Sequence, residues 1–485
     1  MKNHKKLKKM LVGSVSISST IALVSTVLLP TIFVNTPNNN DYIDLNQIHW
    51  DIIVPDNIEN IQTAINTAKP GDKILVKNGT YTPTNKWFDR TLEIKTPGIT
   101  ICGQNPRSTI INGRGTYTVI SIEAPDIHFI GFTIIGNSKN GTLMNVQSNH
   151  ANISYNIFET HDYSDGTEYA LELHESQNTT VSHNKISNSD YGIILQGCQN
   201  NQITHNLITN TNAGICLTES YLFDLSDGIN INRQSGSTQN KITHNQIIDV
   251  RDGISLYRSS NNQIKQNQLI QNGLYGIELR QSTENTVESN TFIDSGLNLA
   301  GRQITHFIHN IKNNTVNNKP LYYQQSLNSF SAPQDVGQII LVGCSQGRIE
   351  GVQIANTTNA VFLVYCSDII ITNCDFRYNA QGLNLQYSNR NTITKNNFIR
   401  NTINAAFTHV KFIQGKSNTW RNNYWENLFG SPLRIFRILP KRIPGRIFLQ
   451  RRSLLFNRVK YTLFGIPTGD FDWRPAKTPH ILFLF

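Results

Sequence analysis

QNTTVSHNKISNSDYGIILQGC (177–198) lies over QNNQITHNLITNTNAGICLTES (199–220) without a gap, and TQNKITHNQIIDVRDGISLYRS (238–259) lies over SNNQIKQNQLIQNGLYGIELRQ (260–281) in the same way. Each is a 22-residue unit carrying a short period-two apolar pair: Ile193/Leu195, Ile215/Leu217, Ile254/Leu256 and Ile277/Leu279. That alternation is the mark of a short strand with one buried face. Strands this short cannot form a core alone, so the period predicts stacked coils about 4.8 Å apart that share one apolar interior. Asn184, Asn206, Asn245 and Asn267 recur at one corner of the repeat. There Asn is expected to adopt the left-handed conformation and to bond its amide to that of the next coil.

The IxxN…xxGIxL unit resembles the right-handed parallel β-helix repeat of the pectin-lyase-like superfamily, in particular its NosD-type subgroup of carbohydrate-binding and sugar-hydrolysis domains. NIENIQTAINTAKPGDKILVKNGTYTP (57–83) and the segment 319–376 are similar to the capping end and the later coils of such proteins. In 57–69, Ile58, Ile61, Ala64, Ile65 and Ala68 form one helical face, Asp56 and Glu59 suit a capping box, and Pro70-Gly71 ends the helix. The expected architecture is all-β. A solenoid spans 51–425 with a capping helix at 57–69, and a basic, partly helical cap and tail follows at 426–485. The resemblance implies sugars as partners and an association with copper-site maturation. It does not choose among lyase, hydrolase, epimerase, binding module or inert rod.

The chain is 16% charged with a net charge of +10, and the excess lies at its ends. MKNHKKLKKM precedes an apolar run at 11–34, so residues 1–36 read as a secretory signal or an N-terminal membrane anchor, joined by a linker at 37–50. The stretch 434–460 holds nine Arg or Lys and no acid. It either folds back along the solenoid or docks on an anionic membrane or acidic polymer. The coils between are rich in Asn, Ser and Thr, with no interleaved aromatic and basic stripe. They point to a polysaccharide or cell-envelope glycan and not to nucleic acid. Of six cysteines, Cys344 and Cys366 are 22 residues apart and should stack on adjacent coils, either as a disulfide or as two thiols. No zinc-type cysteine spacing occurs.

Two insertions, 158–170 and the 17-residue 221–237, flank one strand column and should wall the two sides of a cleft. If the Leu and Ile pairs point inward, one outward column reads Glu172, Ile194, Cys216, Ser255, Glu278, and the next reads His174, Gln196, Thr218, Tyr257, Arg280. Glu175, Glu219 and Arg258 follow at the strand ends, while Asp224, Asp227 and Arg233 come from the second insertion. This set suits uronate chemistry. Arg258, Arg280 and Arg233 would position a carboxylate, with Glu278, Asp224 and Asp227 beside them. His174, Tyr257, Glu172 and Glu219 are the candidates for proton transfer or glycosidic cleavage, and a carboxylate pair there could hold Ca²⁺. Ordinary solvated surface is the alternative. None of the tight signatures expected of a pectate lyase, polygalacturonase or mannuronan epimerase is present.

His183, His205 and His244 fall at one site on consecutive coils, since their offsets are 22 and 39 residues and the second includes the 17-residue insertion. Such a ladder could ligate a transition metal. Alternatively, the rings stack beside the corner Asn and serve structure alone. With only three Met in the chain, no Met/His cluster of the kind soft copper favours is present.

Overall fold

The computed structural model describes residues 45, 48–82, 90–113, 116–136, 141–160, 168–224, 230–410, 418–426, 441–455 and 458–472. It is a parallel β-solenoid with almost no helix. Three sheets line the first stack of coils. Sheet A runs through eleven described strands from Ile52–Val54 to Asn310–Lys312. Sheet B turns from it at the Asn corner, and sheet C includes Tyr169–His174, Tyr191–Gln196, Ala213–Asp224, Asp252–Tyr257 and Tyr275–Arg280. Register follows the repeat: Leu171, Ile193, Ile215, Ile254 and Ile277 pair in sequence and are all buried. The Gly of each GIxL unit is there for close approach. A Cβ on Gly192 or Gly214 would come within 2.6 Å of the next coil's carbonyl oxygen.

The corner works through the expected amides but not the expected backbone. Asn156, Asn184, Asn206, Asn245, Asn267, Asn290 and Asn314 form one ladder, in which Oδ1 of Asn245 accepts from both the backbone N–H and Nδ2 of Asn206, each at 3.0 Å. Nδ2 of Asn245 donates to the carbonyl of Ile203 at 2.8 Å. The left-handed residue is the one before Asn: His183, His205, His244 and Gln266 have φ between 55° and 57°. The Asn is thus free to aim its side chain along the stack, while its neighbour makes the turn.

The helix is shorter than expected, Ile61–Thr67, and Asn60 caps it by accepting from the N–H groups of Gln62 and Thr63. Asp56 pairs instead with Lys77, so the Asp56/Glu59 capping box does not form.

The run of coils expected over 51–425 is also interrupted. Thr315 and Val316 pair antiparallel with Pro320 and Lys319, and a second stack begins there. Its main sheet holds Lys319–Gln325, Gln338–Val342, Asn359–Val364, Gln381–Gln386 and Ile403–Val410, with two four-stranded sheets beside it. Ile339, Leu341, Val361 and Leu363 point into this second core, whereas Ile340, Val342, Phe362 and Val364 join the core of the first stack. The second stack therefore closes the open end of the first with the outer face of its own sheet. Gln338 bonds both ways to the backbone of Leu297, and Asn359 donates to Asn298 at 3.1 Å, so the polar groups at this junction are satisfied.

Cys344 and Cys366 do stack, as thiols. They take the role of the corner serines: the backbone N–H of Leu327 donates to Sγ of Cys344 as that of Cys366 donates to Oγ of Ser388. In the tail, 441–455 and 458–472 are antiparallel strands added to the second stack's sheet, and no helix occurs among the described residues there. The run 11–34 lies outside the described residues, among which no helix is long and apolar enough to cross a membrane.

Candidate functional site

The outer face of sheet C in the first stack carries a line of residues, long at its ends and short at its middle, whose register makes a shallow trough. The pairs Glu172, Ile194, Cys216, Ser255 and Glu278 run in one line, continued above by Asn145 and below by Asn298. The long side chains Glu172 and Glu278 stand four strand spacings apart, or roughly 19 Å. Between them lie the buried Ile194 and the short Cys216 and Ser255, and these form the floor. One flank is the line Tyr169, Tyr191, Ala213, Asp252, Tyr275. The other flank holds His174, Gln196 and Thr218 on three adjacent strands, with Tyr257 beside Arg280 on two lower ones.

The first flank was not anticipated, because Tyr169 and Asp252 open their strands, where a turn residue and a face residue look alike in sequence. Tyr169 and Tyr191 stack with ring centroids 5.1 Å apart. Asp252 has one carboxylate oxygen buried and without a hydrogen-bond partner, and the other lies 3.5 Å from Arg251. Burial, and then the neighbouring Glu278, push its pKa up. Burial also raises Glu172, against the opposing pull of His174, and Nε2 of Gln196 donates to it at 3.0 Å. The floor thiol of Cys216 is pushed up to about 12 by burial, which makes it a poor nucleophile.

The arginines expected to meet a ligand are already engaged. Arg258 holds the buried Glu219 at 3.0 and 3.2 Å, donates through Nε to Gln281, and lies over the ring of Tyr257. Arg280 donates to Glu278 at 2.8 Å, and Asn298 donates to the other oxygen of that carboxylate. Nε2 of His174 lies 3.4 Å from Oγ of Ser220, which in turn donates to Glu175 at 2.9 Å. Gly197 permits this contact, since a Cβ there would meet Ser220 at 2.9 Å. The insertion 221–237 is a hairpin: the strand Ala213–Asp224 continues past the corner and pairs antiparallel with Asn230–Gly236. Asp227 and the side chains of Asp224 and Arg233 lie outside the described residues, as does most of the 158–170 insertion.

The chain matches the profile described as periplasmic copper-binding protein (NosD) over residues 30–224, 130–319 and 221–430. It belongs to the NosD family. No curated protein sequence matches it. Among solved structures it is similar to alginate lyase AlyF-OU02 in complex with G6, at 12% identity over 77% of this chain and 84% of that one, with a TM-score of 0.40. It is similar also to the catalytic domain of a GH87 alpha-1,3-glucanase in complex with nigerose, at 15% identity over 78% and 69%, TM-score 0.41. A third is the A-module of Azotobacter vinelandii mannuronan C-5 epimerase AlgE6, at 12% identity over 74% and 92%, TM-score 0.33. At such scores no residue role transfers.

The family description raises copper, and the residues present do not fit it. His183, His205 and His244 stack face to face at 4.9 and 4.8 Å with interplanar angles of 1° and 2°, below the ring of Tyr155. Imidazole lone pairs lie in the ring plane, so parallel rings one coil apart cannot aim two nitrogens at one ion at a bonding distance of about 2 Å. Met144 is fully buried, and the thiols of Cys102, Cys198 and Cys374 are raised to between about 11 and about 12 by burial. Among the described residues no group of three His, Cys, Asp or Glu converges.

Proposed function

We propose that this NosD-family chain is an exported envelope protein that binds a polysaccharide strand along the trough of sheet C. The observation that carries this is the trough itself: a short-residue floor at Cys216 and Ser255, carboxylates at both ends and a stacked tyrosine pair along one rim. Sugars offer apolar ring faces and hydroxyl edges, and this lining is complementary to both. The periplasmic description of the family supports export. The support extends to binding and less to turnover, because Glu219 is committed to Arg258 and His174 to Ser220.

The test is to fill the floor. Ser255→Trp adds a ring to a half-exposed outward position and leaves the inward pairs untouched, so the variant should fold and lose retention on a panel of immobilised polysaccharides. A folded variant that binds as wild type would place the site elsewhere. A wild-type chain that binds no polysaccharide would leave the surface rod as the better reading.

A further inference from the structure

Resting on the glycan-binding reading, we propose that the trough selects an uncharged, hydroxyl-rich polysaccharide, seated on the rings of Tyr169 and Tyr191, and rejects uronate polymers. Charge decides first. Within the trough Glu172, Asp252 and Glu278 face two guanidinium groups, those of Arg251 and Arg280. Arg280 is bonded to Glu278, and Arg251 lies against Asp252. Just outside, Arg258 is closed onto Glu219. A uronate entering here would meet Glu172, Asp252 and Glu278 with both guanidinium groups of the trough already turned to a carboxylate, and like charges placed together repel.

Hydrogen-bonding capacity points the same way. One oxygen of Asp252, beside the floor, and Oδ1 of Asn145, at the upper end of the line, are buried and find no donor among the described residues. Glu172 takes one amide donor from Gln196 and a long contact from Thr142. Two acceptors of the face are therefore left to be met by a donor. A sugar hydroxyl brings a donor, which a small turn of the Asp252 or Asn145 side chain would meet, whereas a uronate carboxylate brings only further acceptors.

The rim supplies the seat. Tyr169 and Tyr191 are stacked and half-exposed, and the next residue down the line, Ala213, is too small to extend the stack. One face of the Tyr191 ring is thus left without an aromatic neighbour, with Asp252 and Tyr275 on the following coils. A pyranose ring placed at Ala213 would lie against Tyr191 and present its hydroxyls to Asp252.

Affinity electrophoresis of the full chain in gels containing either a neutral glucan or a uronate polymer tests this, at low and at high salt. The expected result is retardation by the neutral polymer that changes little on adding salt and is lost in Ser255→Trp, with any retardation by the uronate polymer the same in wild type and Ser255→Trp. Tyr191→Ala should weaken binding about thirtyfold, the loss for a buried aromatic anchor, and Tyr191→Phe should retain it. Melting curves of both variants establish that they fold. Retardation by the uronate polymer that Ser255→Trp abolishes, or neutral binding indifferent to Tyr191→Ala, would overturn the selectivity while leaving glycan binding in place. Retardation by neither polymer would overturn the glycan reading itself.

Discussion

The strands of sheet C in the first stack and those at Gln338–Val342 and Asn359–Val364 in the second obey one inward rule, and their outer residues do opposite work. In sheet C the outer line is Glu172, Cys216, Ser255 and Glu278, open to a ligand along its floor. In the second stack it is Ile340, Val342, Phe362 and Val364, pressed onto the end of the first. A coil's inward residues build the solenoid and are the same everywhere. Its outward residues say what that part of the solenoid is for.

The sharpest way to break this comparison is to place the same change on both outer faces. Phe362 is fully buried and meets the ring of Phe307 edge-on. Phe362→Ala should cost about 3–5 kcal/mol, and Phe362→Asp, which adds an uncompensated buried charge, should unfold the chain. Ser255→Ala, at the matching outward position of sheet C, should stay within about 0.5 kcal/mol. Urea denaturation of the three variants checks this. Equal costs for Phe362→Ala and Ser255→Ala would mean the two stacks do not dock.

The corners should show no such difference. Asn245→Ala orphans the buried N–H of Asn206 and removes a second donor from the carbonyl of Ile203, and Asn396→Ala does the same to the N–H of Cys374 and the carbonyl of Ile371. Each should cost about 1–3 kcal/mol, the range for one unsatisfied buried group. A clearly smaller loss in the second stack would show that its ladder is not held as tightly as the first.

The sequence made the inward rule legible because period two and the 22-residue repeat both register it. It also carried a sign of the second stack that periodicity alone passes over. IILV (339–342) and AVFLV (360–364) are continuous apolar runs with every residue buried, the pattern of strands covered on both faces. The outward columns of the trough could be written from alternation, since register is all they need. Their pairings could not. Whether Arg258 meets a ligand or Glu219 depends on two residues 39 apart in sequence closing across the sheet. Nor could alternation assign the left-handed corner to His205 in place of Asn206, because both residue types tolerate it.

The smallest effects belong to the imidazole ladder, which has no counterpart in the second stack. Partial desolvation within the stack, and then the neighbouring rings of His183 and His244, lower the pKa of the otherwise exposed His205. The unfolded chain therefore binds a proton at that residue before the folded chain does. The stability involved is fully present above the ordinary imidazole value of 6.5 and is lost as pH falls through the lowered folded value. The ring is exposed and solvent screens it, so the slope should be shallow. His205→Gln should flatten that slope and leave the melting temperature at neutral pH nearly unchanged, because Gln266 makes the same left-handed corner two coils on. Metal should do less still. A ligand at 100 times its Kd would stabilise by about 2.7 kcal/mol, whereas stacked rings that cannot converge on one ion predict no saturable shift with copper or zinc. A shift in wild type that His205→Gln abolishes would require the rings to leave their stack. The corner would then be a metal site, unlike any in the second stack.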